Sequence, residues 1–161
     1  MKTIKGLMFV SLIIIGVALS SCSKDSSNPV TPSVNQKFTC TLNGGGYNNQ
    51  TITLTNSAVA IYSSDDDKTG IVFSNTTNDV GGIVIKGKST GTFSIDEGDY
   101  EVTINMNGKT ALVLTSGTIV VTGYGSVGGE VKGTFSGSAI DASTQQTVQV
   151  TNGSFSAKRM Q

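Results

Sequence analysis

Two acidic clusters carry most of the side chains that could bind a metal ion or move a proton. The first is Asp65-Asp66-Asp67-Lys68-Thr69-Gly70, which begins like a calcium-binding loop of the form D-x-D-x-T-G. Calcium prefers six to eight oxygen ligands, and alternate aspartates followed by a glycine can wrap around it. The pattern requires a glutamate at its twelfth position, which here is Thr76. A solvated turn between two strands is therefore the alternative.

The second cluster is Asp96-Glu97-Gly98-Asp99, followed closely by Glu101. If the two loops share one end of the fold, they would offer a joint calcium site. Its ligands would be Asp65, Asp67, Asp96 and Asp99. Two carboxylates about 5–9 Å apart also suffice for glycoside hydrolysis. The alternative is a second polar turn whose carboxylates stay in water.

The chain contains no histidine, which removes the usual base of nucleophilic catalysis and the commonest metal ligand. Apart from Cys22 near the N-terminus, its only cysteine is Cys40. Cys40 shares its parity with Phe38 and Leu42, so we expect a small buried side chain and not a nucleophile. We therefore expect no enzymatic activity and no cofactor, with calcium as the open alternative.

Aromatic side chains that could stack on a ligand are limited to tyrosine and phenylalanine, because the chain lacks tryptophan. Tyr124, within Gly123-Tyr124-Gly125-Ser126, is predicted to lie in an exposed loop. Tyr47 precedes the amide side chains of residues 48–50, which could add polar contacts. Tyr47 and Tyr124 are thus the candidate ligand-contact residues, the alternative being ordinary tyrosines at the edge of the core.

The N-terminus has the layout of a secretion signal. Lys2 and Lys5 precede an apolar run from Leu7 to Leu19, which is shorter than the about 20 residues of a spanning helix. The run ends in Leu19-Ser20-Ser21-Cys22. This stretch resembles the lipobox of bacterial lipoproteins, and the resemblance implies cleavage before Cys22, thioether lipidation of Cys22 and acylation of the new N-terminus.

That resemblance divides the chain into three parts. Residues 1–21 are then a signal peptide, residues 22–36 a lipid-anchored tether, and residues 37–161 the folded domain. The tether contains both prolines of the chain, which favour an extended spacer. We expect the bacterial outer membrane as the location. Whether the domain lies on the periplasmic or the cell-surface side is left open. Asp25 is not part of an acidic run like the one that directs surface export in Bacteroidota lipoproteins.

The charge balance bears on the partner. The chain has 11 basic and 11 acidic residues, and two of the lysines precede the expected cleavage site. Such a chain lacks the basic patch that nucleic-acid binding requires. The expected partners are the membrane, through the lipid on Cys22, and a glycan or an envelope protein.

Beyond residue 36, short runs of Val, Ile, Thr and Phe alternate with Gly, Asn, Asp and Ser, which is typical of strands and turns. The predicted strands are 37–42, 50–55, 58–63, 70–75, 82–87, 91–95, 100–106, 110–115, 117–122, 129–138 and 146–157. No helical periodicity interrupts them. They predict an all-β fold, an antiparallel β-sandwich, with an open β-barrel as the alternative.

Two local patterns sharpen this prediction. Asn107-Gly108 predicts a tight hairpin, whose register sets Val102 opposite Val113 in a two-residue loop or opposite Leu112 in a bulged three-residue loop. Three motifs of the form Gly-(Thr/Ser)-Phe-Ser predict one inward phenylalanine per strand, with the last two on neighbouring strands. They occupy residues 91–94, 133–136 and 153–156.

Four segments carry a likeness to a known group. They are Phe38-Thr39-Cys40-Thr41-Leu42-Asn43-Gly44, Gly117-Thr118-Ile119-Val120-Val121-Thr122, Gly129-Glu130-Val131-Lys132-Gly133-Thr134-Phe135-Ser136-Gly137 and Val150-Thr151-Asn152-Gly153-Ser154-Phe155. Together they resemble uncharacterised Bacteroidota-type lipoprotein domains of β-sandwich type. The resemblance implies a fold and a membrane address, and no catalytic residues.

The sequence thus predicts a lipid-anchored, non-catalytic binding or structural module. One alternative is a carboxylate-dependent glycan hydrolase that uses Asp99 and Glu101. The other is an adhesion domain stabilised by calcium.

Overall fold

Ten β-strands and no α-helix make up the described part of the chain. The computed structural model describes residues 35–95, 98–106 and 111–161. The strands are β1 (Lys37–Gly44), β2 (Tyr47–Leu54), β3 (Ser57–Ser63), β4 (Lys68–Ser74), β5 (Val80–Lys86), β6 (Gly91–Ser94), β7 (Glu101–Asn105), β8 (Ala111–Tyr124), β9 (Glu130–Asp141) and β10 (Thr147–Arg159). The predicted all-β class is confirmed. Over those same residues, no helix has the length and apolarity needed to cross a membrane.

Alternating burial along the strands explains why these segments form sheet. In β1, the inward side chains of Phe38, Cys40 and Leu42 are buried, and the intervening Thr39 and Thr41 point outward. This period of two is the pattern of a strand with one face on the core. The inward position predicted for Cys40 is confirmed.

Phe38 marks the centre of the core. Its ring packs against Phe73 of β4 at 5.2 Å and against Phe135 of β9 at 5.1 Å between ring centroids. A Cβ atom placed on Gly81 of β5 would contact Leu54 of β2 at 3.1 Å and the Phe38 ring at 3.3 Å. The β1–β2 pair therefore lies face to face with β4 and β5, as in a sandwich.

All ten strands belong to one sheet, in the order β2-β1-β10-β3-β4-β5-β7-β8-β6, with β9 pairing both β10 and β8. The pairings therefore run from β3 through β4, β5, β7, β8, β9 and β10, and β10 pairs with β3 again. This last contact is parallel, with Lys158 opposite Val59 and Arg159 opposite Ala60, whereas the other pairs are antiparallel. β1 and β2 branch from β10, and β6 branches from β8. The packing of β1 and β2 on β4 and β5 is sandwich-like, but all of these strands belong to one continuous sheet. This sheet does not form a clean barrel.

Two predicted strands, 110–115 and 117–122, form the single strand β8. Gly117 explains the continuity, because its φ of +140° allows the strand to bend there without ending. A Cβ atom at Gly117 would lie 2.2 Å from the carbonyl oxygen of Ser136, so only glycine fits this close approach of β8 and β9.

The β7–β8 hairpin has a register that the sequence did not predict. Ile104 lies opposite Leu112. Both predicted registers, with Val102 opposite Val113 or opposite Leu112, are therefore wrong. This register keeps Val102 and Ile104 of β7 on the buried face together with Leu112 and Leu114 of β8. The predicted turn falls within residues 107–110, which lie outside the described residues.

Two of the three predicted phenylalanine anchors are confirmed. Phe135 of β9 and Phe155 of β10 are each 3% exposed, and their strands are neighbours. Phe93 of β6 is only partly buried and packs against the edge of the core.

The long strands give the fold two ends. Lys37 of β1 lies in one cross-strand row with Ser156 of β10, Lys132 of β9 and Gly123 of β8. We call this the Lys37 end. Since β3 runs parallel to β10, the β3–β4 turn also lies there, beside the end of β5 and the start of β7. The turn between β9 and β10, which begins at Asp141, lies at the opposite end.

Candidate functional site

Tyrosines and charged side chains gather at the Lys37 end. They come from the β3–β4 hairpin, the end of β5 and the segment after it, the start of β7, and the last residues of β8 and β10. We call this set the aromatic–charged cluster. Its members are Tyr62, Asp67, Lys68, Lys86, Lys88, Asp99, Tyr100, Glu101, Tyr124 and Arg159. Three of the four tyrosines of the chain are among them.

Tyr124 is the last residue of β8 and is half-buried, whereas the sequence predicted an exposed loop. Its hydroxyl lies 2.6 Å from Oγ1 of Thr69, a fully buried residue of β4. Thr69 in turn donates to the carbonyl oxygen of Gly87 at 2.8 Å. Because a threonine hydroxyl has one hydrogen, the Tyr124 hydroxyl donates to Thr69. This chain of bonds fixes the Tyr124 ring.

Arg159 covers one face of that ring. Its guanidinium carbon lies 5.0 Å from the Tyr124 ring centroid, within the range of a cation–π interaction. The same guanidinium donates to the carbonyl oxygen of Gly125 at 2.9 Å and to that of Gln161 at 2.7 Å. Arg159 thereby ties the end of β10 to the β8–β9 loop and presents a fixed cation.

Tyr62 forms a second pair of aromatic and charged groups. Its hydroxyl donates to Asp67 at 2.9 Å, and the ammonium of Lys88 lies 4.4 Å from its ring centroid. The bond to Asp67 raises the pKa of Tyr62, with smaller contributions from desolvation and from the charge of Asp67. Tyr124 adds slightly to this rise in the pKa, and the charge of Arg159 opposes it.

Asp99 joins two lysines from neighbouring strands. Lys86 of β5 lies 2.8 Å from one carboxylate oxygen, and Lys68 of β4 lies 3.5 Å from the other. The hydrogen bond from Lys86 is the main cause that lowers the pKa of Asp99. The three side chains are 35% to 52% exposed, so we expect the pairs to orient the side chains more than to stabilise the fold.

Glu101 differs from Asp99 although only one residue separates them. Desolvation raises the pKa of Glu101, and the nearby charge of Lys68 partly opposes this shift. The two carboxyl groups are thus displaced in opposite directions from their ordinary values.

Tyr100 supplies the third ring of the cluster. It stacks on Phe93 with 4.8 Å between centroids and 15° between planes, and both rings pack against the edge of the core. Such offset stacking adds to the burial of two aromatic side chains. The predicted phenylalanine anchor of β6 therefore supports a tyrosine of the candidate site.

The calcium-like segment does not fold as one loop. Asp65 and Asp67 lie in the β3–β4 turn as predicted for a polar hairpin, but Thr69 and Gly70 belong to β4 and pair in the sheet. Their backbone is extended and cannot wrap a cation. Asp96 lies outside the described residues, and within them there is no group of three or more ligands of the histidine, cysteine or carboxylate type. Calcium binding stays a prediction.

Tyr47 lies far from Tyr124, at the Asp141 end of the fold. It is 9% exposed and belongs to the core, so it offers little surface to a ligand. Burial raises the pKa of Tyr47, and the charge of Asp141 adds to the shift. The carboxylate of Asp141 accepts hydrogen bonds from the backbone and side chain of Ser143 and from the backbone of Thr144, which closes the β9–β10 turn.

Several residues of the site gave no local signal in the sequence. Arg159 stands near the C-terminus and reaches Tyr124 because β8 and β10 both pair with β9. Lys88 follows an ordinary glycine turn and reaches Tyr62 because β4 joins β3 to β5. Three exposed apolar residues at this end, Ile61, Val127 and Met160, were also missed.

Comparison with known proteins identifies no relative of this chain, so a function must be inferred from its own residues. The chain matches no protein-family model, no curated protein and no solved structure.

Proposed function

We propose that the protein is a lipid-anchored envelope protein whose β domain is a non-catalytic binding module. The lipid is carried by Cys22, within the lipobox-like Leu19-Ser20-Ser21-Cys22, and residues 22–36 form the tether. The membrane is the bacterial outer membrane. The contact surface is the aromatic–charged cluster at the Lys37 end.

One observation carries this proposal: three tyrosines and several cations come together from five separate parts of the chain. Tyrosine and arginine dominate the binding energy of protein interfaces, because they combine apolar area with a polar tip. Here the Tyr62 and Tyr124 rings are held by Asp67, Thr69 and Arg159. A ring that is already fixed loses less conformational entropy when a ligand binds.

The charged groups of the cluster support binding more than catalysis. Asp99 is engaged by two lysines, and Asp67 accepts the Tyr62 hydroxyl. Carboxylates held in this way are poor proton acceptors but can exchange their partners for the hydroxyls of a saccharide or the polar groups of a protein. The partner is therefore a glycan or a protein of the envelope.

Binding to an array of envelope polysaccharides tests the contact surface. The mature lipidated chain in detergent is compared with Tyr62→Ala and Tyr100→Ala, and Thr53→Ala on the outer face of β2 is the matched control. Losing one aromatic anchor is expected to weaken binding about tenfold or more, whereas the control binds normally. Equal binding by all four proteins would contradict the proposed surface, and binding by none would exclude these polysaccharides as the partner.

A glycan hydrolase is the second candidate, favoured by the opposed pKa shifts of Asp99 and Glu101. A glycosidase needs one protonated and one ionised carboxyl group. Incubation with polysaccharides and detection of reducing ends tests this candidate. Turnover that is lost in both Asp99→Asn and Glu101→Gln would establish the hydrolase and overturn the non-catalytic proposal.

A further inference from the structure

Exposed apolar side chains are unevenly distributed over the domain. Among the described residues, the large hydrophobic side chains that are exposed are Ile61 at 37%, Val80 at 38%, Val127 at 63% and Met160 at 51%. Ile61, Val127 and Met160 lie at the Lys37 end, and we call these three the apolar tip. Val80 begins β5, at the opposite end from Lys86.

Backbone hydrogen bonds fasten the segments of the apolar tip to each other. The amide of Met160 donates to Ala60, which precedes Ile61, at 2.8 Å. The amide of Gly128, which follows Val127, donates to Arg159, which precedes Met160, also at 2.8 Å. The three side chains are therefore held on adjoining backbone that is already ordered.

The tether joins the domain at the same end. Gln36 accepts a hydrogen bond from the amide of Ala58 through its side chain, and β1 begins at Lys37, in the row that contains Gly123. The 15 residues from Cys22 to Gln36 can span at most about 50 Å when fully extended. A lipid on Cys22 thus keeps this end of the domain close to the bilayer.

We propose that the apolar tip docks on the lipid surface of the membrane in which the Cys22 lipid is anchored. This inference rests on the proposed lipid anchor and names the bilayer as a partner of the same end of the domain. Short flexible linkers give effective concentrations in the millimolar range, so an intrinsically weak contact is populated once the lipid is inserted. Exposed apolar side chains beside tyrosines suit the interface between headgroups and acyl chains.

The surrounding charges favour a zwitterionic surface. Arg159 and the lysines at this end are accompanied by carboxylates, and Glu130 pairs with Lys132 at 2.8 Å as Asp99 pairs with Lys86. A protein surface with balanced charges gains little binding energy from anionic lipids. We therefore expect the docking to persist at high salt, in contrast to docking by a basic patch.

Single tryptophans report the docking, because the natural chain contains none. The mature lipidated chain carrying Val127→Trp is reconstituted into phosphatidylethanolamine–phosphatidylcholine vesicles, with and without brominated acyl chains. Val80→Trp is the matched control, since it replaces an exposed valine at the opposite end. Circular dichroism and the thermal midpoint show that each variant is folded.

Docking predicts that brominated lipid quenches the Val127→Trp emission at least by half and shifts it to shorter wavelength, while Val80→Trp keeps the emission of a tryptophan in water. Adding Met160→Glu to Val127→Trp should abolish the quenching. A water-exposed Val127→Trp in chains that remain membrane-bound would contradict the docking but not the lipid anchor.

Wild-type chains that do not stay with the vesicles would contradict the lipid anchor itself. A Val127→Trp emission that brominated lipid never quenches, and that changes only when a polysaccharide or protein partner is added, would show that the tip meets that partner and not lipid, which also overturns the proposal.

Discussion

The phenyl ring of Phe155 fills the space beside Gly133 on the neighbouring strand, where a Cβ atom would lie 2.7 Å from the ring. The relationship is reciprocal, because Phe135 lies opposite Gly153 with the same separation of 2.7 Å. Each Gly-x-Phe motif thus supplies a ring to the core and a gap for the ring of the other motif. Glycines at such positions let long strands coil tightly, which positions the ends of β8, β9 and β10.

Replacing Gly133 by alanine should destabilise the domain by about 1–3 kcal/mol, as overpacking of a filled core does. The added methyl group would meet the Phe155 ring and would lie 2.1 Å from the carbonyl oxygen of Val120. Thr134→Ala, at the exposed neighbouring position, is the control and should change little. Urea unfolding measures both, and a Gly133→Ala midpoint equal to that of the wild type would refute the packing described for this motif.

The buried bond between Thr69 and Tyr124 predicts an order of stability for two variants. Thr69→Val leaves both the Gly87 carbonyl and the Tyr124 hydroxyl without their partner, which should cost about 1–3 kcal/mol. Tyr124→Phe leaves the bond from Thr69 to Gly87 intact and should cost about 1 kcal/mol or less. Unfolding free energies measured side by side check the order, and a larger loss in Tyr124→Phe would contradict this network.

Opposite effects of pH are expected for Asp99→Asn and Glu101→Gln. The pKa of Asp99 is lowered by Lys86, so its contribution to stability is present above its unfolded pKa and is lost as the pH falls through the folded pKa. Asp99→Asn should therefore lower the thermal midpoint at neutral pH, and the difference should vanish in acid.

Burial raises the pKa of Glu101, so its contribution is present below the unfolded pKa and is lost as the pH rises through the folded pKa. Glu101→Gln should accordingly raise the midpoint slightly at neutral pH. Thermal melts of both variants across the acidic range provide the test. Shifts of the same sign at neutral pH would show that the charges of the two side chains do not act as described.

The thiol of Cys40 should be inert in the folded protein. Burial raises its pKa to about 12, and its side chain is 1% exposed. A coloured thiol reagent at mildly alkaline pH should label the mature lipidated chain only after denaturant is added, because the thiolate is the reactive form. Rapid labelling of the native protein would contradict the inward position of Cys40.

Much of the fold follows from local pattern. The alternation of Phe38, Cys40 and Leu42 predicted an inward face, and the spacing of the two C-terminal Gly-x-Phe motifs predicted neighbouring strands. These features could be predicted because a strand repeats every two residues, so that each side chain's face follows from its neighbours.

The features that escaped prediction depend on residues distant in sequence. From the sequence, Gly117 was predicted to separate two strands. In the structure it is a bend inside β8, where the backbone comes close to Ser136 of β9. The parallel contact of Arg159 with Ala60 closes the sheet and brings the C-terminus to the aromatic–charged cluster. Tyr47 and Tyr124 were both candidate contact residues from the sequence, with Tyr124 the stronger of the two. Burial of Tyr47 and the position of Tyr124 beside Arg159 depend on the tertiary fold, so neither could be predicted.

The attachment of the chain through Cys22 is the central claim of this account, and fractionation of cells that express Cys22→Ser tests it most directly. The wild type is expected in the outer-membrane fraction and to incorporate labelled fatty acid, because two or more acyl chains hold a protein stably in a bilayer. Cys22→Ser should lose the label and leave the membrane fraction. A Cys22→Ser protein that stays in the membrane fraction, or a wild type that takes up no lipid label, would contradict the lipid anchor.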